Sequence, residues 1–184
     1  MWASKTPGGS SWHFWRYSVF QDLQFQNVNF DFDRDSDRAL STVRAGMKVA
    51  DIYNVKPDLS AFRARGGKLI IYHGWADEQV TPFASLDFYA HIKARQGQSG
   101  TDGFLRMFMM PGIAHCSGGA GAGNIGGATP ALSHDPSHDV VAALDAWVVH
   151  HQAPNILIAA HLDENKKVDR TRSLCPFPQE AHYK

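Results

Sequence analysis

Two stretches carry the side chains most able to do chemistry: His73-Gly74-Trp75-Ala76-Asp77 and Pro111-Gly112-Ile113-Ala114-His115-Cys116-Ser117-Gly118-Gly119. A carboxylate facing an imidazole is the orienting half of a hydrolase triad: the acid fixes the ring tautomer and stabilises the imidazolium that forms during proton transfer. Asp77 and His115 are the residues placed to make that pair. Each lies in the loop that follows a short apolar run, and functional side chains gather at the carboxyl ends of strands in open parallel sheets. The order, acid before histidine, is that of α/β-hydrolases. Taken singly, Asp77 reads equally as a loop acid capping the next helix, and His115 as a turn residue satisfied by backbone; their joint placement favours the pair.

A nucleophile is harder to place. No G-x-S-x-G occurs in the chain. Ser117 imitates a nucleophile turn, but it runs into glycines rather than a helix and follows the acid, so it is set aside. The earlier serines Ser10, Ser11, Ser18, Ser36, Ser41 and Ser60 lack a strand–turn–helix setting. Cys116 beside His115 is a weak alternative, because adjacent side chains point apart. Ten histidines raise the question of metal. His134 and His138 are spaced for one helical face, but Pro136 between them argues for a turn. His73, Asp77 and His115 form a second conceivable metal triad.

The elements that must position these residues are legible from Asp58 onward. Asp58 to Phe62 reads as a capped helical turn ended by Gly66-Gly67. Lys68 to Tyr72 is a buried strand, and Leu105 to Met110 another. Thr81-Pro82 opens a helix, with Thr as N-cap and Pro in the first turn, that runs to a stop at Gly97. Asp139 to His150 is an amphipathic helix. Alternation of near-continuous apolar strands with helices predicts a parallel α/β sheet covered on both faces. Residues 1–55 differ: aromatics (Trp2, Trp12, Phe14, Trp15, Tyr17, Phe20) crowd together, and a single helix is predicted over residues 35–54. This segment reads as a surface element packed by its aromatics, with an aromatic carbohydrate platform as the minority reading.

Composition sets the outer limits. The 184 residues are enough for a sizeable core, and 43% hydrophobic with 20% charged residues is a globular balance. Zero formal net charge gives no footprint for nucleic acid or an anionic membrane surface. No apolar run approaches the roughly 18 residues of a membrane span, and the first residues lack a signal-peptide pattern. Two cysteines, Cys116 and Cys175, permit one bridge or none.

The motifs GGKLIIYHGWADEQVTP, RMFMMPGIAHCSGGAGA and RTRSLCPFP, with FWRYSVFQD and NFDFD before them, resemble the C-terminal region of the tannase and feruloyl esterase family. The resemblance covers nearly the whole chain. It implies the C-terminal part of an α/β-hydrolase fold, over residues 56–184, preceded over residues 1–55 by the remnant of a lid and its return connection. It further implies a secreted or periplasmic carboxylic-ester hydrolase acting on phenolic-acid (aryl) esters such as gallates and ferulates. Asp77 would be its triad acid and His115 its general base, with no cofactor, the family's calcium site belonging to the lid. It assigns Cys116 to a bridge tying the histidine loop to the nucleophile turn, and Cys175 to a different bridge with a cysteine nearer the C-terminus. The Cys-Ser nucleophile turn, the oxyanion loop and most of the lid have no counterpart in these residues, so the chain alone is expected to be inactive and Cys116 and Cys175 are expected not to pair. Substrate-binding residues are not identifiable. The alternative is a non-catalytic remnant that binds aromatic ligands or a partner chain supplying the nucleophile.

Overall fold

The structure, a computed structural model, describes residues 13–52 and 56–182. These divide into two compact units, the first ending at Lys56 and the second beginning at Pro57.

In the first unit, Phe14–Phe20 winds as a π-helical stretch that stops at Gln21, where the backbone turns left-handed with φ 54°. Helix α1, Phe32–Ser41, starts where Asp31 accepts the backbone N–H groups of Asp33 and Arg34 at 3.1 and 3.0 Å. Acids in its first turn and Arg38 in its last suit the helix dipole. It ends well short of the predicted span. Thr42 is extended, and strands β1, Val43–Arg44, and β2, Met47–Lys48, close a small antiparallel hairpin. Ala45 and Gly46 both have positive φ, 50° and 79°, as a two-residue hairpin turn requires. That turn breaks the expected helix over 35–54, of which positions 53 and 54, like Trp2, Trp12, Ser10 and Ser11, lie outside the described residues. Val19, Ala39 and Val49 form the small core, with Phe14, Trp15 and Phe20 packed against it.

The second unit opens with the short helix α2, Ser60–Ala64, and a turn at Gly66. Strand β3, Leu69–Gly74, pairs in parallel with β4, Leu105–Met110, from Leu69 against Leu105 to Gly74 against Met110. Helix α3, Pro82–Asp102, connects them. Thr81 holds its N-cap position, but the Thr81 side chain makes no capping bond. The expected stop at Gly97 is a kink (φ 70°, ψ 169°), after which helical turns resume to Asp102. Helix α4, Val140–His150, is capped by Asp139, whose side chain accepts from Val141 and Ala142. Alternation along β4 sends Leu105 and Met107 into one apolar cluster with Tyr89, Ile92 and Phe104. It sends Phe108 and Met110 into another, with Ile113, Ile125, Val140 and Leu157. The strand is therefore buried on both faces, as a parallel strand requires.

The expected single parallel sheet is limited to the β3–β4 pair, and the last two strands form a two-stranded sheet of their own. Strands β5, Leu157–Leu162, and β6, Val168–Leu174, form an antiparallel hairpin. The polar, mostly exposed VDRTRSL carries no buried apolar run, and its turn is made at Lys166 with φ 61°. Beyond β6 the tail lies along β4: Pro176 bridges Phe108 antiparallel, and Phe177 N–H donates to the Met107 carbonyl at 2.7 Å.

Candidate active site

The parallel register ends with Gly74 opposite Met110, so the chains leaving β3 and β4 emerge side by side. They are then tied to each other. Trp75 N–H donates to the Met110 carbonyl at 2.9 Å and Ala76 N–H to the Ile113 carbonyl at 3.0 Å. This approach is possible only for glycine at 74, where a Cβ would lie 2.1 Å from the Ile113 carbonyl oxygen. The segment after β4 folds back on itself: Gly121 N–H donates to the Gly112 carbonyl (3.0 Å), and Ala114 N–H to the Gly118 carbonyl (3.2 Å). Gly118 and Gly119 are left-handed, and a Cβ on Gly119 would sit 2.2 Å from the Gly112 carbonyl oxygen. His115 stands in this loop, next to Cys116, itself at φ 62°, a conformation that costs a non-glycine residue about 1–2 kcal/mol.

The two loops bring Asp77 and His115 together. His115 Nδ1 lies 3.0 Å from Asp77 Oδ2 and 3.2 Å from Oδ1. Oδ1 also accepts the backbone N–H groups of Gln79 and Val80, both at 2.9 Å, so the acid organises its own loop besides facing the histidine. The Asp77 side chain is 6% exposed. Burial by itself would raise its pKa; the N–H groups of Val80 and Gln79 together with His115 outweigh burial and hold the carboxyl at about 2. Asp77 is therefore anionic at neutral pH. Against an anionic acceptor, His115 must present Nδ1 as the N–H donor, which leaves a lone pair on Nε2. The His115 side chain is 34% exposed, open to a reacting group. Beside the pair lies a cavity of about 340 Å³, with Tyr72, Met110 and Ile113 as apolar wall and Asp77, His115 and Cys116 at its polar edge. An oriented imidazole with a free Nε2 beside an apolar hollow can take a proton from a hydroxyl and return it.

His73 also reaches the acid. Its Nε2 is 3.1 Å from Asp77 Oδ2 and its Nδ1 is 2.7 Å from the Ser85 hydroxyl. The structure thus gathers the three residues of the conceivable metal triad, but both rings aim a nitrogen at one carboxylate oxygen at hydrogen-bond distance rather than around a common centre. Among the described residues no group of three His, Cys, Asp or Glu side chains is arranged to hold a metal ion. His134 and His138 serve separate carboxylates, Asp139 at 2.8 Å and Asp135 at 2.9 Å. Ser117 sits in a bend, its N–H on the His115 carbonyl at 2.7 Å, with no helix after it. Ser18 is in the π-helical stretch, Ser36 and Ser41 in α1, and Ser60 at the start of α2, donating its hydroxyl to Asp58. Cys116 is exposed and Cys175 half-buried, both with free thiols.

A family model described as tannase and feruloyl esterase matches residues 11–184. The chain is 39% identical over 85% of its length to an uncharacterized esterase of Xanthomonas campestris pv. campestris, covering 30% of that protein. It is 34% identical over 97% of its length to a probable feruloyl esterase B-1 of Aspergillus terreus, covering 33% of it. The crystal structure of feruloyl esterase B from Aspergillus oryzae superposes with a TM-score of 0.77 at 27% identity, over 90% of this chain and 32% of that one. The chain spans about a third of the length of these relatives.

Proposed function

This chain belongs to the tannase and feruloyl esterase family, and from that premise we propose that it supplies the acid and base of a serine-type hydrolysis of phenolic-acid esters, gallates and ferulates being the substrate class. The observation that carries the reading is the 3.0 Å contact between His115 Nδ1 and an Asp77 carboxylate held anionic by its own loop.

In this reading the attacking serine and the oxyanion donors come from outside the 184 residues. As serine Oγ attacks the ester carbonyl carbon, His115 Nε2 takes the hydroxyl proton, and Asp77, remaining a carboxylate, stabilises the imidazolium. Collapse of the tetrahedral species breaks the bond to the leaving oxygen, which receives that proton and departs as the alcohol. A water then gives its proton to Nε2 while its oxygen attacks the acyl-serine, and the phenolic acid is released as the proton returns to serine. Oxyanion donors contribute a large share of the barrier reduction, so the chain alone is expected to release no product.

The same premise supports a secreted or periplasmic location and two separate bridges, one from Cys116 and one from Cys175, to cysteines outside these residues. A bridge at Cys116 would brace the glycine-rich loop that carries His115; such cross-links contribute about 2–4 kcal/mol. The test is release of ferulate or gallate from the methyl esters by the chain alone, and by the chain combined with a separately expressed segment bearing the family's Cys-Ser nucleophile turn. Turnover only in the combination, abolished by His115→Ala, is the expected result. Hydrolysis by the chain alone, or turnover indifferent to His115, would overturn the reading.

A further inference from the structure

The acid has a second imidazole that the proposed reaction does not use. Leu69 and Ile71 of β3 pack into the apolar cluster built with Tyr89, Ile92 and Phe104. Alternation puts His73 on that same face, toward α3. There the apolar series ends in a polar ring whose side chain is only 12% exposed. A ring so placed must satisfy both nitrogens. Nδ1 meets the hydroxyl of Ser85 on α3 at 2.7 Å, while Nε2 meets Asp77 Oδ2 at 3.1 Å and the Val80 carbonyl at 3.1 Å. Both partners of Nε2 are acceptors without a proton, so Nε2 carries the hydrogen and donates it; Nδ1 is then free to accept from Ser85.

This arrangement divides the carboxylate. Oδ1 is fixed by the backbone N–H groups of Gln79 and Val80. Oδ2 is shared between His73 and His115. The two rings are mounted differently. His115 rides on a loop with left-handed backbone at Gly112, Cys116, Gly118 and Gly119, whereas His73 is part of a strand paired to β4. The donor on the strand is the one able to set the direction of Oδ2 for the donor on the loop. We propose that His73 is a positioning residue for the acid: with Ser85 fixing its Nδ1, its Nε2–H holds Asp77 Oδ2 in the direction from which His115 Nδ1 is engaged. The inference rests on the reading of Asp77 and His115 as acid and base.

The test is solvent exchange of the His115 Nδ1 proton, followed by NMR in the 15N-labelled chain and assigned by its loss in His115→Gln. His73→Gln keeps a donor near the reach of Nε2. His73→Asn has a shorter reach, to about the position of Nδ1, and His73→Leu removes the donor. The expected result is slow exchange in the unsubstituted chain and in His73→Gln. In His73→Asn and His73→Leu, exchange should be about tenfold faster, the equivalent of one hydrogen bond to a charged group. If His73→Leu does not fold, the comparison of Gln with Asn decides alone. Equal exchange in Gln and Asn variants, or exchange as slow in His73→Leu as in the unsubstituted chain, would overturn the positioning role and leave the acid–base pair standing. Absence of any slowly exchanging His115 proton in the unsubstituted chain would overturn both.

Discussion

Replacing Asp77 with Asn removes one charge and almost no volume, and its surroundings dictate how the new amide must sit. Two backbone N–H groups, from Gln79 and Val80, point at the Oδ1 position from 2.9 Å. Both demand an acceptor, so the amide oxygen takes that place. The amide nitrogen is then left where Oδ2 was, 3.0 Å from His115 Nδ1 and 3.1 Å from His73 Nε2. Each of those nitrogens donates to Oδ2 in the parent chain; in Asp77→Asn they meet a donor. His115 relieves the clash by moving its proton to Nε2, so that Nδ1 can accept from the amide. The ring then has no lone pair on Nε2, the nitrogen that the proposed reaction uses as base. A wrong tautomer of this kind lowers kcat by about 10⁴-fold in a serine triad, or about 5.5 kcal/mol at about 1.4 kcal/mol per factor of ten. The variant should stay folded, because the two backbone bonds survive. Nitrogen chemical shifts of His115 report the tautomer directly: Nδ1 protonated in the parent chain, Nε2 protonated in Asp77→Asn. A variant whose His115 keeps its proton on Nδ1 would refute the reasoning, whatever its activity.

Other expectations follow from the same geometry. Gly119→Ala forces a Cβ to 2.2 Å from the Gly112 carbonyl oxygen at a φ of 86°; it should lower stability by about 2–4 kcal/mol, read from the urea midpoint. The depressed pKa of Asp77, about 2 against an ordinary 3.8, gives a stability contribution that is complete above pH 3.8 and is lost as pH falls through about 2. It amounts to at most about 2 kcal/mol, and urea titrations across that window should show a drop that is smaller in Asp77→Asn. Thiol titration of the unfolded chain, purified without reductant, should find both Cys116 and Cys175 reactive; a mass two hydrogens lighter with no free thiol would show them joined. Phe108→Ala, in a fully buried position of β4, should cost about 3–5 kcal/mol.

The elements that carry the pair were readable because each is signalled locally. Lys68 to Tyr72 and Leu105 to Met110 are apolar runs too short for helices, Pro82 marks a helix start, and the apolar stretch from Asp139 to His150 marks another, with Asp139 found as its cap. The contact between Asp77 and His115 was foreseeable because each lies in the loop after such a run. Other features depend on partners distant in the chain. Strand β5 lies on the apolar run Ile156 to Ala160, but its partner β6 shows a polar surface over most of its length, so no second apolar run announces the hairpin that buries Leu157, Ala159 and Leu174. The β1–β2 hairpin rests on a two-residue turn inside a stretch with acceptable helical spacing. Pro176 on β4 is a single bridge made by a tail without strand character of its own. His73 was visible as a possible metal ligand, but its contact with Ser85 across to α3 depends on how the helix packs. The alternation Leu69, Ile71, His73 was the available signal: a polar residue on a strand face otherwise committed to the core.

The claim that Asp77 and His115 are the acid and base of an ester hydrolase is tested most directly by giving the pair a nucleophile. In a chimera, this chain replaces the matched third of the Aspergillus terreus relative, and kcat on methyl ferulate is measured with His115 intact and as His115→Ala. Hydrolysis by the chimera that falls by about 10⁴-fold or more in His115→Ala is the predicted result. A folded chimera that turns over equally well without the imidazole, or one that is inert with it, would contradict the account.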